Sequence, residues 1–425
     1  MRQMRLFFGK LLSLKQDEFR LLALSFGFIF VLFSSYALLR PMRDALGLEG
    51  GKDELKWLFL ATFISCIIAS LVLMWLSTRI RRRFYTDFIF VFFALNLIGF
   101  FVAMNAFETK SVEFVWLARA FYVWVSIFNL FAFSSAWSLI ADIFSKEASQ
   151  RLFGIIAAGA SLGSIAGASS VKIFANLIGA SNLVFASVVL LLLGVVLKNL
   201  IIKELGKLED GVNLARFDKT IGAKNPFIGF ALIAKSPYLL ALCAFVLLLT
   251  SVSTFLYMEQ ARIVREAFAT REARMAAFAN IDLVVQISAL IIQIFLTAKI
   301  AQFFKLTALL GVLGFVICAG FVVLIFTHPA FLPLAVVMSV RRVGEYALVK
   351  PGREMLFVPL SSDEKYKVKS FIDTVIYRGG DALWAQFESL LASVSITLVL
   401  GVGAFVSFVW GLFGVFLGKR YEKIT

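Results

Sequence analysis

A chain of 425 residues that is 60% apolar, with mean hydropathy +0.90, lacks the polar helix faces a soluble domain of this size needs, since such domains are about 45–50% apolar. The formal net charge of +15 does not point to nucleic acid, because most lysines and arginines sit in short segments between apolar runs, the pattern that retains loops on the cytoplasmic side of a bilayer. The composition predicts an all-α integral membrane protein.

Hydrophobic length and breakers predict twelve spans: 21–46, 56–78, 84–106, 114–141, 151–175, 181–203, 237–267, 276–298, 304–327, 331–355, 368–392 and 394–417. Each is long enough for a hydrocarbon core of about 30 Å. The first run is longer than a signal-peptide core and continues into Arg40-Pro41 without a small-residue cleavage site, so it reads as a retained span. It also carries Arg40, Arg43 and Asp44 near its end. The fourth span opens with Arg119 among Trp116, Phe121, Tyr122 and Trp124, a mixture of interface belt and packing residues, and closes at Asp142. The fifth, entered at Arg151, is nearly smooth through Gly154, Ala157, Ala160, Gly163, Ser164 and Gly167, a surface on which another helix can approach closely.

The only long polar stretch, 204–236, divides the chain near its middle. The predicted organisation is a six-helix bundle over 1–203, a cytoplasmic linker over 204–236 and a second six-helix bundle over 237–425. Basic residues concentrate on the even-numbered side of the twelve-span map, which predicts cytoplasmic N and C termini. A weak internal repeat agrees with the division: Arg40 and Arg43 near the end of the first span correspond to Arg262 and Arg265 near the end of the seventh. This is the layout of a two-domain alternating-access carrier, in which two halves face each other across a midplane site.

Charge inside a span is costly and usually lines a polar cavity. By depth, Arg341, Arg342 and Arg378 lie near mid-membrane, while Arg40, Arg43, Arg119 and Arg262 lie toward the outer end. These seven arginines are the predicted substrate contacts, because guanidinium grips phosphate through two parallel charge-assisted hydrogen bonds. Asp44, Glu259, Arg265, Asp282, Glu345, Asp373 and Asp381 are predicted gating or coupling groups. Asp142, Arg151, Arg353 and Glu354 near cytoplasmic helix ends are predicted to form a gate there. Pairs such as Arg40 with Asp44, Glu259 with Arg262, Arg341 with Glu345 and Arg378 with Asp381 are three or four residues apart and can meet on one helix face. Even so, basic groups outnumber acids near the predicted cavity. Cys66, Cys243 and Cys318 have no metal-ligand spacing, and His328, the single histidine, reads as a turn or interface residue before a proline. No GxxxxGK[ST] run is present to cradle a nucleotide for hydrolysis. The expectation is a transporter, not an enzyme, without metal or cofactor.

Tyr36-Ala-Leu-Leu-Arg40-Pro41-Met42-Arg43-Asp44-Ala45-Leu46-Gly47 resembles the first-helix signature of the bacterial and plastid ATP/ADP translocases, the NTP/NDP exchangers. Arg79-Ile80-Arg81-Arg82-Arg83-Phe84 and Trp137-Ser138-Leu139-Ile140-Ala141-Asp142-Ile143-Phe144 are similar to the same family. The resemblance implies a major-facilitator-like fold and nucleotide exchange or uptake, with Arg40, Arg43 and Asp44 carried over by motif. The leading expectation is thus a secondary transporter of an anionic, phosphorylated metabolite, ATP or ADP favoured, acting as a monomer in the bacterial cytoplasmic membrane. Two alternatives remain open: a proton-coupled carrier of another amphiphilic anion, such as a lipid or cell-envelope precursor, and a membrane scaffold without solute flux.

Overall fold

The computed structural model describes residues 18–51, 54–109, 111–144, 146–208, 217–220, 228–295, 306–357, 368–369 and 371–422. Among the described residues the chain is helical almost throughout, and extended pairing is confined to an isolated bridge between Arg81 and Thr220. Six long helices come first: α1 (Glu18–Leu46), α2 (Glu54–Ser77), α3 (Arg82–Ala106), α4 (Val112–Ile143), α5 (Lys146–Ile178) and α6 (Ala180–Leu208). After the short α7 (Ile228–Lys235) come α8 (Pro237–Ala267), α9 (Arg271–Phe295) and α10 (Leu306–Thr327). The last group is α11 (Phe331–Gly344), α12 (Lys350–Met355), α13 (Tyr377–Val394) and α14 (Ile396–Glu422).

Local chemistry fixes several helix starts. Ser111 accepts from the Phe114 amide at 3.1 Å ahead of α4. Ser236 accepts from the Leu239 amide at 3.4 Å ahead of α8, whose first residue is Pro237. Both arrangements satisfy or remove amides that lack an intrahelical partner.

Among the described residues, ten helices are long and apolar enough to cross a membrane, and the protein is multi-pass. The predicted spans 331–355 and 368–392 fall below that apolar standard because they hold the charges. Each is interrupted by a π-helical turn, Glu345–Val349 between α11 and α12 and Ile372–Ile376 before α13. A π turn carries an extra residue within the helix and is often found at functional sites.

Contacts divide the chain into two compact units that interleave in sequence. The first comprises Met1–Arg43, Leu71–Leu117 and Trp124–Ala223. Its α5 lies directly on α1 through the small residues anticipated there. A Cβ added at Gly163 would come within 2.3 Å of the Phe30 carbonyl oxygen, and one at Gly167 within 2.6 Å of the Ser34 oxygen. α3 packs along α6, where Lys198, only 1% exposed, donates from Nζ to Asp87 and, at 2.7 Å, to the Arg83 carbonyl. Ser35 and Ser187 share a hydrogen bond of 2.6 Å that pins α1 to α6.

The second unit comprises Asp44–Ser70, Ala118–Val123 and Lys224–Thr425. Its tightest pair is α10 with α14, whose backbones touch. A Cβ on Gly314 would lie 2.4 Å from the Gly411 nitrogen, and one on Gly414 would lie 2.4 Å from the Leu310 oxygen. Trp384 donates to the Leu247 carbonyl at 2.9 Å, tying α13 to α8. Large exposed apolar side chains, including Phe326, Leu390 and Val394, suit a hydrocarbon surrounding.

Candidate functional site

Buried charged residues of the second unit gather in two clusters, and α11 and α13 build most of the first. Polar and apolar residues alternate on these helices because one stripe packs while the other carries charge. Arg341 and Arg342, on the last turn of α11, are 7% and 5% exposed. Adjacent residues on a helix point about 100° apart, and the two find different partners. Arg341 Nη1 donates to Glu345 Oε2 at 2.8 Å, four residues ahead in the π turn. Arg342 Nη1 reaches across to Asp282 Oδ1 on α9 at 2.5 Å.

The second π turn contributes Asp373, 3.3 Å from Arg353 on α12. About two turns later Asp381, 8% exposed, accepts from Thr254 of α8 at 3.2 Å and lies within electrostatic reach of Arg378, Glu345 and Arg341. Tyr377 sits among the same groups, within reach of Glu345, Asp381, Arg341 and Arg353. Among the described residues four arginines therefore meet four carboxylates in this cluster. Pairing is nevertheless incomplete at the level of single atoms. Among the described residues, Arg341 Nε, Arg342 Nη2 and Arg353 Nε are buried without a hydrogen-bond partner.

The second cluster is centred on Arg262 of α8. Its guanidinium pairs with Glu259 one turn earlier and, at 2.7 Å, with Glu388 Oε1 of α13. His328, between α10 and α11, places Nε2 2.6 Å from Glu259 Oε1. Glu388 did not stand out in the sequence, and His328 read there as a turn or interface residue. Their sequence distance from Arg262 hides the association, although an acid at Glu388 beside Phe387, Leu390 and Leu391 was a usable signal.

Other anticipated residues are placed as follows. Asp44, 4% exposed, accepts from the Tyr257 hydroxyl at 2.8 Å, and Tyr257 lies 3.3 Å from the Tyr122 hydroxyl. Arg119 of α4 forms a two-armed pair with Glu54 of α2, Nη2 lying 3.1 Å from Oε2. Arg265 accepts at its backbone carbonyl from Arg274, at 3.5 Å. Arg40 and Arg43 lie half-buried on α1 within the first unit. Asp142 pairs with Arg82 at 3.3 Å in that same unit. The side chains of Arg151 and Glu354 lie outside the described residues. No group of three or more His, Cys, Asp or Glu suited to a metal ion occurs among the described residues.

The family model described as Major Facilitator Superfamily matches residues 5–349. A comparison with curated protein sequences returned no match. Among solved structures, the peptide transporter POT in complex with sulfate is similar at TM-score 0.68 and 15% identity, over 96% of this chain and 96% of that one. A POT family transporter in complex with a thioalcohol-conjugated peptide gives 0.67 at 14% identity, over 97% and 99%. The inward-open xylose transporter XylE from E. coli gives 0.60 at 12% identity, over 95% of each chain. At these identities the likeness establishes the fold.

Proposed function

The chain belongs to the major facilitator superfamily, a family of secondary transporters that work by alternating access, and from that premise we propose that it carries an anionic, phosphorylated solute. The observation that carries this reading is the set of buried donors left over at Arg341, Arg342 and Arg353. A buried donor without a partner costs about 1–3 kcal/mol, and oxygens of a bound phosphate would satisfy several such groups at once. Because carboxylates already balance the arginines, the solute competes with Glu345, Asp282 and Asp373 for the guanidinium forks. That competition favours reversible binding. Arg378 completes the deep set, and Arg40, Arg43, Arg119 and Arg262 are further substrate contacts in this reading.

A nucleotide is the favoured solute, supported by the Tyr36 to Gly47 motif and its resemblance to the NTP/NDP exchangers. In the accompanying topology, halves at 1–203 and 237–425 are joined by a cytoplasmic linker at 204–236. Both termini are cytoplasmic, and the protein acts as a monomer in the bacterial inner membrane. Asp142, Arg151, Arg353 and Glu354 belong to the cytoplasmic gate, while Asp44, Glu259, Arg265, Asp282, Glu345, Asp373 and Asp381 serve gating or coupling.

A thermal-shift panel of nucleotides and other phosphate esters on purified protein tests the solute class, because a ligand of the native state raises its melting temperature. Uptake of labelled ATP or ADP into proteoliposomes, with and without internal nucleotide, then separates exchange from one-way transport. Absence of both a selective shift and saturable flux would remove the nucleotide assignment.

A further inference from the structure

Two buried carboxylates, Glu259 and Glu388, share one guanidinium, unlike the one-to-one pairs at Arg341, Arg342 and Arg353. Glu259 is 1% exposed and Glu388 fully buried. Glu388 spends one oxygen on Arg262, while Oε2 is buried without a hydrogen-bond partner among the described residues. Glu259, Arg262 and Glu388 sum to one negative charge among the packed helices of a multi-pass membrane protein, where uncompensated charge is strongly disfavoured. A cation on another helix lies nearby. Lys56 of α2 donates to Ser389 Oγ at 3.0 Å, next to Glu388, and acts electrostatically on that carboxylate. The Lys56 carbonyl also accepts from Gln386 at 3.0 Å. These two hydrogen bonds hold α2 against α13. The charged or titratable groups reaching the cluster are thus Glu259 and Arg262 from α8, Glu388 from α13, Lys56 from α2, and His328 between α10 and α11.

We infer that the Glu259, Arg262, Glu388 and His328 cluster is a proton-binding site, in which a proton and the Lys56 ammonium replace one another as the α2–α13 contact opens and closes. In the contact described here Lys56 balances the charge. When α2 withdraws, the cluster is one negative and takes a proton from water onto a carboxylate oxygen. Closure returns Lys56 and expels the proton. This rests on the alternating-access reading and names the proton as the coupling ion. The sign follows from linkage: the open form holds one more proton, so acid favours opening, with the open-to-closed ratio changing about tenfold per pH unit in the sensitive range.

The test uses the full chain in lipid nanodiscs with no solute present and its three native cysteines replaced. Spin labels at Trp57 and Leu390, both exposed and beside the contact, report the α2–α13 separation by pulsed dipolar spectroscopy between about pH 5 and pH 8. The expected result is a longer distance gaining population as pH falls. Glu388→Gln leaves one carboxylate for one guanidinium, whichever atom carries the proton, and abolishes the response. Lys56→Met makes the closed form need the proton as well, so both forms bind it and the response again disappears. Lys56→Arg keeps the charge and retains it. A parent distance that ignores pH, or a response surviving in either neutral variant, overturns the proposal. If Glu388→Gln does not fold, Lys56→Met, altered at a half-buried position, decides alone. Since no solute is present, failure here leaves the nucleotide reading to be judged by its own panel.

Discussion

Arg342 on α11 and Asp282 on α9, 60 residues apart in sequence, meet at 2.5 Å with both side chains about nine-tenths buried. The pair fastens the helix that carries Arg341 to a neighbour that is otherwise apolar along much of its length. Removing one member takes from the other its ion-pair partner at 2.5 Å, whereas removing both leaves neither charge.

Asp282→Asn or Arg342→Met alone is therefore expected to destabilise the protein by about 3–5 kcal/mol. Arg342→Met combined with Asp282→Leu should recover most of that loss. Unfolding midpoints of the three variants in the same detergent provide the comparison. A double variant as unstable as the singles would refute the compensation argument.

Arg341→Ala should weaken nucleotide binding by roughly ten- to a hundredfold, the equivalent of about 1.5–3 kcal/mol for a charge-assisted hydrogen bond. Arg341→Lys keeps the charge but loses the planar fork, and should retain only part of the affinity. Titrated thermal shifts, referred to a size-exclusion profile of each variant, separate loss of binding from loss of fold. Equal affinity in the lysine variant would count against two-pronged phosphate contact.

The sequence was most readable where partners share a helix. Arg341 with Glu345 and Glu259 with Arg262 follow from three- and four-residue spacing, and both pairs are present. It was silent where the partner comes from another helix: Glu388 meets Arg262 from 126 positions away, and Tyr257 meets Asp44 from 213. Nothing local in Tyr257 distinguishes a hydroxyl that caps an acid from one at a lipid interface. Length and hydropathy located the apolar helices well. The two charged spans kept their helical character but acquired π turns, which hydrophobic periodicity does not encode. The smooth face of α5 was visible as a run of small residues, while the α10–α14 contact was not, since its glycines are split between segments about 100 residues apart in the chain.

In the first unit, Lys198→Met should be among the most damaging single changes, because it strands Asp87 beside a helix surface with no other described ion-pair partner for it. About 3–5 kcal/mol is at stake. Asp87→Leu placed on top of Lys198→Met should restore much of the folded yield. Yield and melting temperature after identical purification measure the recovery.

Gly314→Leu is expected to separate α10 from α14, since even a methyl at that position meets the Gly411 backbone at 2.4 Å. Overpacking typically costs about 1–3 kcal/mol, and backbone has less room to yield than a side chain. Gly401→Ala, on α14 where a Cβ meets nothing within 4 Å, serves as the control. Similar melting temperatures for the two variants would argue against backbone contact.

That contact also bears on how force passes through the protein. Two helices separated by a layer of side chains can slide as rotamers change; α10 and α14 touch main chain to main chain at Gly314 and Gly414 and have no such layer there. They form a stiff beam within the second unit. Displacement during a transport cycle must then be taken up by the helices around it, and α11 and α13, each carrying a π turn next to its buried charges, are the ones built with slack.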